Sequence, residues 1–322
     1  MATSASDAPE LVGRAHEGDL RALARLVSLI EDGSPRLRTV MKELAPLAGR
    51  ARVIGLTGSP GAGKSTVTSA LITAYRGQGL RVAVLAIDPT SPFTGGALLG
   101  DRIRMQDHAT DGDVFIRSMA SRGHLGGLAA ATPQVIRALD AARYDVILIE
   151  TVGVGQVEVE IASLADSVTV LVVPGMGDSI QAAKAGILEI ADVFAVNKAD
   201  RPQVQETIRD LRNMIALAAQ GPDDWKPPIV TTVATTGDGI GELVGRLDAH
   251  RAWLDRSGEG DRRRVARARE EVAALALGAL RRKMARLPGD SALGALAGRV
   301  AEGQLDPYSA ADELLGALTD SA

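Results

Sequence analysis

One segment of the chain has the residue types and spacing of a phosphate-binding loop. It matches the pattern G-x-x-x-x-G-K-[ST], in which a glycine-rich turn aims backbone N–H groups at a polyphosphate. The dipole of the following helix adds to this attraction. Lys64 is expected to reach the β- and γ-phosphates, and the hydroxyl of Ser65 to bind Mg²⁺. The predicted phosphate-binding residues are Gly58, Ser59, Pro60, Gly61, Ala62, Gly63, Lys64, Ser65 and Thr66.

A second motif predicts the base of the nucleotide. Asn197, Lys198 and Asp200 follow the apolar run "VFAV", at the end of a strand where the base lies in an open α/β sheet. The carboxylate of Asp200 can accept from guanine N1–H and from the 2-amino group, and adenine offers neither donor there. GTP and GDP are therefore the expected nucleotides. A further loop is predicted to face guanine O6, although valine stands where serine is usual; its residues are Val233, Ala234 and Thr235.

Carboxylates at other strand ends complete a predicted magnesium site. Glu150 follows the run "YDVILI", and Asp88 ends the run "RVAVLAID". Asp101, in a glycine-flanked loop, could close onto the metal. Together with Ser65 these side chains offer the oxygen ligands that Mg²⁺ requires. A turn cap before Pro89 is the alternative role of Asp88, and a solvent-facing ion pair is the alternative for Asp101.

The residue that orients the attacking water is not obvious. In the common GTPase pattern a catalytic glutamine follows the glycine after this strand, but here Val154 follows Gly153. Gln156 is a candidate for a related role, and a capping or backbone-bonding role is the alternative. We therefore expect slow intrinsic hydrolysis that a partner accelerates.

The elements that must position these residues form an α/β fold. Short runs rich in β-branched residues alternate with helical stretches, which predicts a mostly parallel sheet covered by helices on both faces. This P-loop NTPase domain is expected over residues 49–256. An N-terminal helical extension precedes it over residues 1–48, and a C-terminal helical arm follows over residues 257–322. In that arm Asp306 and Pro307 predict a helix start, and an apolar stripe is formed by Val265, Val272, Leu275 and Leu280.

Composition excludes several classes of function. The net charge of −4 favours neither a nucleic-acid nor a membrane partner. The chain has no cysteine, and its histidines are scattered, so thiolate or histidine-rich metal storage is not expected. The first residues lack the features of a signal peptide, and the apolar run at 168–173 is too short to span a bilayer. A cytoplasmic protein is predicted.

Several long motifs resemble one family, the MeaB/ArgK GTPases, which are accessory proteins of adenosylcobalamin-dependent acyl-CoA mutases. These motifs include "TGSPGAGKST", "LAIDPTSPFTGGALLGDRIRM", "ILIETVGVGQVEVE" and "VVPGMGDSIQAAKAGILEIADVFAVNKAD". The resemblance implies a GTPase that loads and protects such a mutase, with methylmalonyl-CoA mutase as the expected partner. It also implies a homodimer held by C-terminal helices, and it makes glutamate at position 150 a family trait.

The resemblance adds Lys184 to the catalytic candidates Lys64, Glu150 and Gln156, because the segment around it resembles an extra switch element. A solvated helix lysine is the alternative. Two other function classes stay open: a nucleotide-dependent kinase linked to amino-acid transport, and a metal-insertion GTPase. No acceptor pocket for a kinase is recognisable, and the absence of cysteine disfavours metal insertion. Guanine selectivity with switch-like loops favours the mutase chaperone.

Overall fold

The computed structural model describes residues 7–89, 106–108, 110–121, 131–151, 160–175, 189–217, 221, 224–284 and 291–320. The chain divides into two units, residues 1–261 and residues 262–322. In the first unit, runs of β-branched and aliphatic residues form the strands of one sheet. These strands are β1 (Arg52–Gly58), β2 (Val82–Pro89), β3 (Val114–Ser121), β4 (Val146–Thr151), β5 (Ser167–Val172), β6 (Val193–Asn197) and β7 (Ile229–Thr232).

The strand order is β3-β2-β4-β1-β5-β6-β7, and every neighbouring pair is parallel. Residues in the central strands are buried on both faces, so these strands read as continuous apolar runs and not as alternating ones. The predicted α/β fold is thereby confirmed. Because the strands are parallel, all their carboxyl ends lie on the same side of the sheet, where β1 leads into the phosphate-binding loop.

The edge strand β3 was not among the predicted strands. Its apolar residues are interrupted by Arg117 and Ser118, and of the side chains described in it only Val114 and Met119 are buried. The strand pairs with β2 along its whole length, with Leu85 opposite Arg117. Because an edge strand on a covered sheet is only partly buried, it lacks the continuous apolar run that marked the other strands.

Helices cover both faces of the sheet. On one face lie α4 (Lys64–Gly77) and α7 (Ile240–Ser257), which form one apolar core with alternate residues of β1, β2 and β4. Five helices lie on the other face and contribute to a second apolar core. They are α1 (Asp7–His16), α2 (Leu20–Glu31), α3 (Leu37–Leu44), α5 (Thr132–Ala141) and α6 (Val204–Leu217).

A buried polar cluster fixes α7 to the amino ends of β5 and β6. The hydroxyl of Ser167, the first residue of β5, lies 2.7 Å from Nδ1 of His250. Nε2 of His250 is 3.2 Å from a carboxylate oxygen of Asp192, which directly precedes β6. The imidazole contacts the rings of Trp225 and Trp253, at centroid distances of 4.8 and 5.6 Å. This cluster lies at the edge of the sheet opposite the phosphate-binding loop.

Helices alone form the described part of the second unit. The boundary between the units falls within α8 (Glu259–Met284), and α9 (Ser291–Ala301) and α10 (Pro307–Asp320) follow. The carboxylate of Asp306 accepts from the backbone N–H groups of Tyr308 and Ser309, which confirms the predicted start of α10. The predicted stripe on α8 is exposed in the single chain, and it consists of Val265, Val272, Leu275 and Leu280. Within the described residues, no helix combines the length and apolarity needed to cross a membrane.

Candidate functional site

The phosphate-binding loop connects β1 to α4 through glycines that no other residue could replace without strain. Gly58 has a φ of 140°, and a Cβ atom there would lie 2.3 Å from the carbonyl oxygen of Leu171. Gly63, just before α4, has a φ of 87°, and its Cβ would lie 2.5 Å from Nδ2 of Asn197. The left-handed turn and the close approach of β5 therefore both require glycine.

Lys64, the first residue of α4, turns its side chain back onto the loop. Its ammonium donates to the carbonyl oxygens of Gly58 at 2.6 Å and Ser59 at 3.2 Å. The side chain is largely buried, which is unusual for lysine. An ammonium held against the loop is in position to bind phosphate oxygens that the loop N–H groups also contact.

Two hydroxyl groups of α4 bind the carboxylate of Glu150. The register of β4 places Glu150 beside Leu56 of β1, and its side chain is 2% exposed. Ser65 Oγ donates to Glu150 Oε1 at 2.6 Å, and Thr68 Oγ1 lies 3.0 Å from Oε2. The sequence predicted Ser65 and Glu150 but missed Thr68. Because the Ser65 proton points at the carboxylate, the lone pairs of its oxygen are available to a cation.

The donor set fits Mg²⁺ shared with a phosphate. Ser65 and Glu150 supply only oxygen atoms, as a hard cation requires, and Mg²⁺ is usually held by one or two carboxylates plus phosphate oxygens. The backbone of Asp88 lies at the carboxyl end of β2, two residues beyond Ala86, which pairs with Glu150. In the part of the chain that the structure describes, no group of three or more His, Cys, Asp or Glu side chains could hold a metal ion. Bound Mg²⁺ would therefore need phosphate oxygens as further ligands.

Asn197 connects the phosphate-binding loop to the predicted base-binding loop. Its buried side chain donates through Nδ2 to the carbonyl oxygen of Ala62 at 2.9 Å. Its Oδ1 accepts from the hydroxyl of Thr232 and from the backbone N–H of Ala234, both at 3.2 Å. The two loops are therefore held in one hydrogen-bonded arrangement.

The other residues of the predicted guanine motif lie next to Asn197. Lys198 donates to the carbonyl oxygen of Gly61 at 2.8 Å, and its backbone has a positive φ of 58°. Asp200 is exposed in the turn after β6, so its side chain is accessible to a ligand. The loop after β7 is closed by the N–H of Val233, which donates to the carbonyl oxygen of Asp238 at 3.0 Å.

A groove of about 690 Å³ runs between α4 and the loop after β7. This volume is within the usual range for small-molecule sites. Three predicted nucleotide-binding residues contribute to its wall: Thr66 from the phosphate-binding segment, with Ala234 and Thr235 from the base-binding loop. The other lining residues are Ser69, Ala70, Thr73, Ala74, Asp107, Thr236, Gly237, Ile240 and Gly241. The groove therefore adjoins both segments that the sequence assigns to the nucleotide.

Three contacts that the sequence did not predict hold α4 in place. Arg76, in its last turn, forms ion pairs with Asp111 at 2.8 Å and Asp113 at 2.9 Å. The hydrogen bond from Arg76 holds the pKa of the Asp111 carboxyl below its ordinary value. Nearer the amino end of the helix, Nε2 of His108 lies 3.0 Å from the hydroxyl of Ser69. The helix that begins with Lys64 is therefore tied to the segment before β3, at His108 and again at Asp111 and Asp113.

Some of the predicted site residues lie close together in the structure, and others lie outside the described residues. It brings together the phosphate-binding loop, Glu150 and Asn197, with Lys198 beside them. Asp101, Gln156 and Lys184 lie outside the described residues. Their assignments, like the roles of the other site residues, stay predictions.

Comparisons with known proteins agree with this geometry. Residues 23–288 match the family described as methylmalonyl Co-A mutase-associated GTPase MeaB. A protein of Pyrococcus abyssi, whose name describes it as a GTPase, is 49% identical over 95% of both chains. GTPase ArgK of Escherichia coli is 37% identical over 77% of both chains. The solved structure of a LAO/AO transport system kinase superposes with a TM-score of 0.72 at 26% identity, covering 98% of this chain and 99% of that one.

One further relative extends the similarity to mammals. A mouse mitochondrial protein, the methylmalonic aciduria type A homolog, is 33% identical over 263 residues. The alignment covers 76% of this chain and 63% of the mouse protein.

Proposed function

This chain belongs to the MeaB family of methylmalonyl-CoA mutase-associated GTPases, and from that premise we propose that it hydrolyses GTP to GDP and phosphate as a chaperone of an adenosylcobalamin-dependent acyl-CoA mutase. Methylmalonyl-CoA mutase is the partner we propose, because the matching family is named for it. In this role the protein would assist cofactor loading and protect the loaded mutase. We propose a cytoplasmic location for both.

The observation that carries the GTPase proposal is the buried side chain of Asn197. It joins Ala62 of the phosphate-binding loop to Ala234 of the base-binding loop, so that both halves of a nucleotide site are aligned on one residue. In the proposed mechanism Lys64 binds the β- and γ-phosphates, and Asp200 selects guanine. Ser65 and Glu150 would hold Mg²⁺, with Asp88 and Asp101 beside them; the ion would offset charge that develops on the phosphate oxygens.

Control by a partner follows from the residue that this chain lacks. Val154 stands where other GTPases carry the glutamine that orients the attacking water. We propose Gln156 and Lys184 for the catalytic arrangement that forms on the mutase. Intrinsic hydrolysis should then be slow, and the mutase should accelerate it by at least about tenfold, as partners of other GTPases do.

Single-turnover hydrolysis of GTP labelled at the γ-phosphate tests this proposal. The rate is measured with the chain alone, with purified methylmalonyl-CoA mutase and with an unrelated acyl-CoA enzyme as a control. Acceleration by the mutase alone supports the chaperone function. Equal rates in all three mixtures contradict it. The kinase alternative, suggested by the name of the superposed structure, predicts label on an acceptor molecule in place of free phosphate.

We also propose that the chain works as a homodimer. The proposed organisation is an N-terminal helical extension at 1–48, a GTPase domain at 49–256 and a dimerisation arm at 257–322. The exposed stripe on α8 supports it, since Val272 and Leu275 expose 65% and 51% of their surface in the single chain. Apolar side chains at helical spacing, exposed in a row, are typical of a surface that another subunit covers.

Glutamate at both Val272 and Leu275 should convert a dimer into a monomer, because a dimer interface would bury two unpaired charges. Light scattering coupled to size-exclusion chromatography at micromolar concentration measures this. Ala274→Glu lies on the opposite face of α8 and should leave the mass unchanged. GDP binding should survive in all three proteins. A monomeric wild-type protein would contradict the homodimer.

A further inference from the structure

The hydroxyl group of Thr68 lies one helical turn beyond Lys64, outside the phosphate-binding pattern. The side chain is fully buried, and its oxygen is 3.0 Å from Glu150 Oε2 and 3.0 Å from the carbonyl oxygen of Lys64. A threonine hydroxyl has one proton and can donate to only one of these acceptors at a time. The carboxylate is the stronger acceptor, because a hydrogen bond to an ionised group is shorter and stronger than one to a carbonyl.

The position of Glu150 explains why a second donor matters. A buried carboxylate needs hydrogen-bond donors, and the terminal torsion of a glutamate side chain has only a weak intrinsic preference. Ser65 binds Oε1 and Thr68 binds Oε2, so the plane of the carboxylate is defined by two hydroxyls on the same helix. Without Thr68, the carboxylate could rotate, and the hydroxyl proton of Ser65 would no longer be held in one direction.

We propose that Thr68 is a positioning residue for magnesium binding, an inference that rests on the proposed GTPase function. It fixes the carboxylate of Glu150, which in turn accepts the hydrogen bond that Ser65 Oγ donates. The lone pairs of Ser65 Oγ then point away from the carboxylate and would be available to a cation. The effect is indirect, so Thr68 itself contacts neither the metal nor the nucleotide.

The first test is the Mg²⁺ dependence of GDP binding, measured by calorimetry. Thr68→Val removes the hydroxyl and nearly keeps the volume. It should raise the Mg²⁺ concentration needed for tight binding by about tenfold or more, as is usual for loss of an outer-shell partner. GDP affinity in EDTA should stay within about twofold of wild type. Thr68→Ser restores the donor and should restore the wild-type Mg²⁺ dependence.

A matched control is Thr207→Val in α6. Like Thr68, Thr207 is buried, and its hydroxyl lies within hydrogen-bond distance of the carbonyl oxygen four residues earlier. That carbonyl belongs to Gln203, and the distance from Thr207 Oγ1 is 3.2 Å. Thr207 is far from the phosphate-binding loop in the sequence. It should leave the Mg²⁺ dependence unchanged. If Thr68→Val weakens GDP binding equally with Mg²⁺ and with EDTA, or leaves both unchanged, the positioning role is wrong.

A second test needs no nucleotide and separates this inference from the proposed function. Unfolding free energies are measured for Thr68→Val, Glu150→Leu and the double variant, because the two substitutions are non-additive when the two side chains interact. The double variant should lose less stability than the sum of the single losses. Additive losses would overturn the pairing of Thr68 with Glu150. Wild-type protein that binds neither GTP nor GDP would instead overturn the GTPase proposal.

Discussion

Replacing Asp200 with alanine should remove most of the preference for GTP over ATP. In the wild-type chain we expect GTP to bind at least about two orders of magnitude more tightly, because a site built to hydrogen-bond a substrate rejects an analogue without those groups. The alanine variant leaves guanine N1–H and the 2-amino group without their acceptor. Its GTP and ATP affinities should then differ by less than about tenfold.

Competition binding at equal Mg²⁺ concentration measures both affinities. Asp255→Ala is the control, since Asp255 is also an exposed aspartate and lies on α7. It should keep the wild-type preference for GTP. Comparable affinities for GTP and ATP in the wild-type protein would contradict the guanine assignment. An unchanged preference in Asp200→Ala would place base selection on other residues.

Replacing Lys64 with methionine should lower the rate of GTP hydrolysis by about 100- to 1000-fold at saturating nucleotide. That is the usual loss when one donor to the transition-state charge is removed. Methionine keeps the length and the apolar stem of the side chain. It therefore preserves the packing of a residue that is only 8% exposed, and removes the ammonium.

Single-turnover hydrolysis, with and without the mutase, is the measurement. Lys226→Met removes an exposed lysine from the same unit and should hydrolyse GTP at the wild-type rate. A Lys64→Met rate within about threefold of wild type would show that the ammonium is not used in the transition state. Circular dichroism of both variants separates a chemical effect from unfolding.

The sequence predicted the sheet well wherever strands are buried on both faces. β1 and β4 have uninterrupted apolar runs because helices cover them above and below. Within the predicted N-terminal helical extension, α1 was not distinguished as a separate helix, because two of its four buried residues are alanines, Ala8 and Ala15, and a stripe of small side chains is a weak periodic signal. The hydrophobic pattern of the sequence therefore predicts elements that bury a large apolar surface, and it does not detect elements that bury little.

The candidate site shows the same limit in a different form. Lys64 and Asp200 could be predicted because each belongs to a short motif whose spacing is local in the chain. Thr68 could not, since its partner Glu150 is 82 positions away and no spacing rule connects them. The link from Asn197 to Ala62 likewise depends on the sheet bringing the ends of β1 and β6 to one edge.

The aromatic cluster around His250 has a consequence for spectroscopy. Trp225 and Trp253 are the only two tryptophans of the chain, and both contact that imidazole. His250 of this cluster contacts Ser167, and Ser167 pairs with Ile54 of β1. Gly58 lies four residues beyond Ile54, which is about 13 Å along the strand. We therefore expect intrinsic emission to follow the unfolding of the amino ends of the strands and to change little when nucleotide binds. Titrations of nucleotide binding that are read by fluorescence therefore need a fluorophore carried by the ligand.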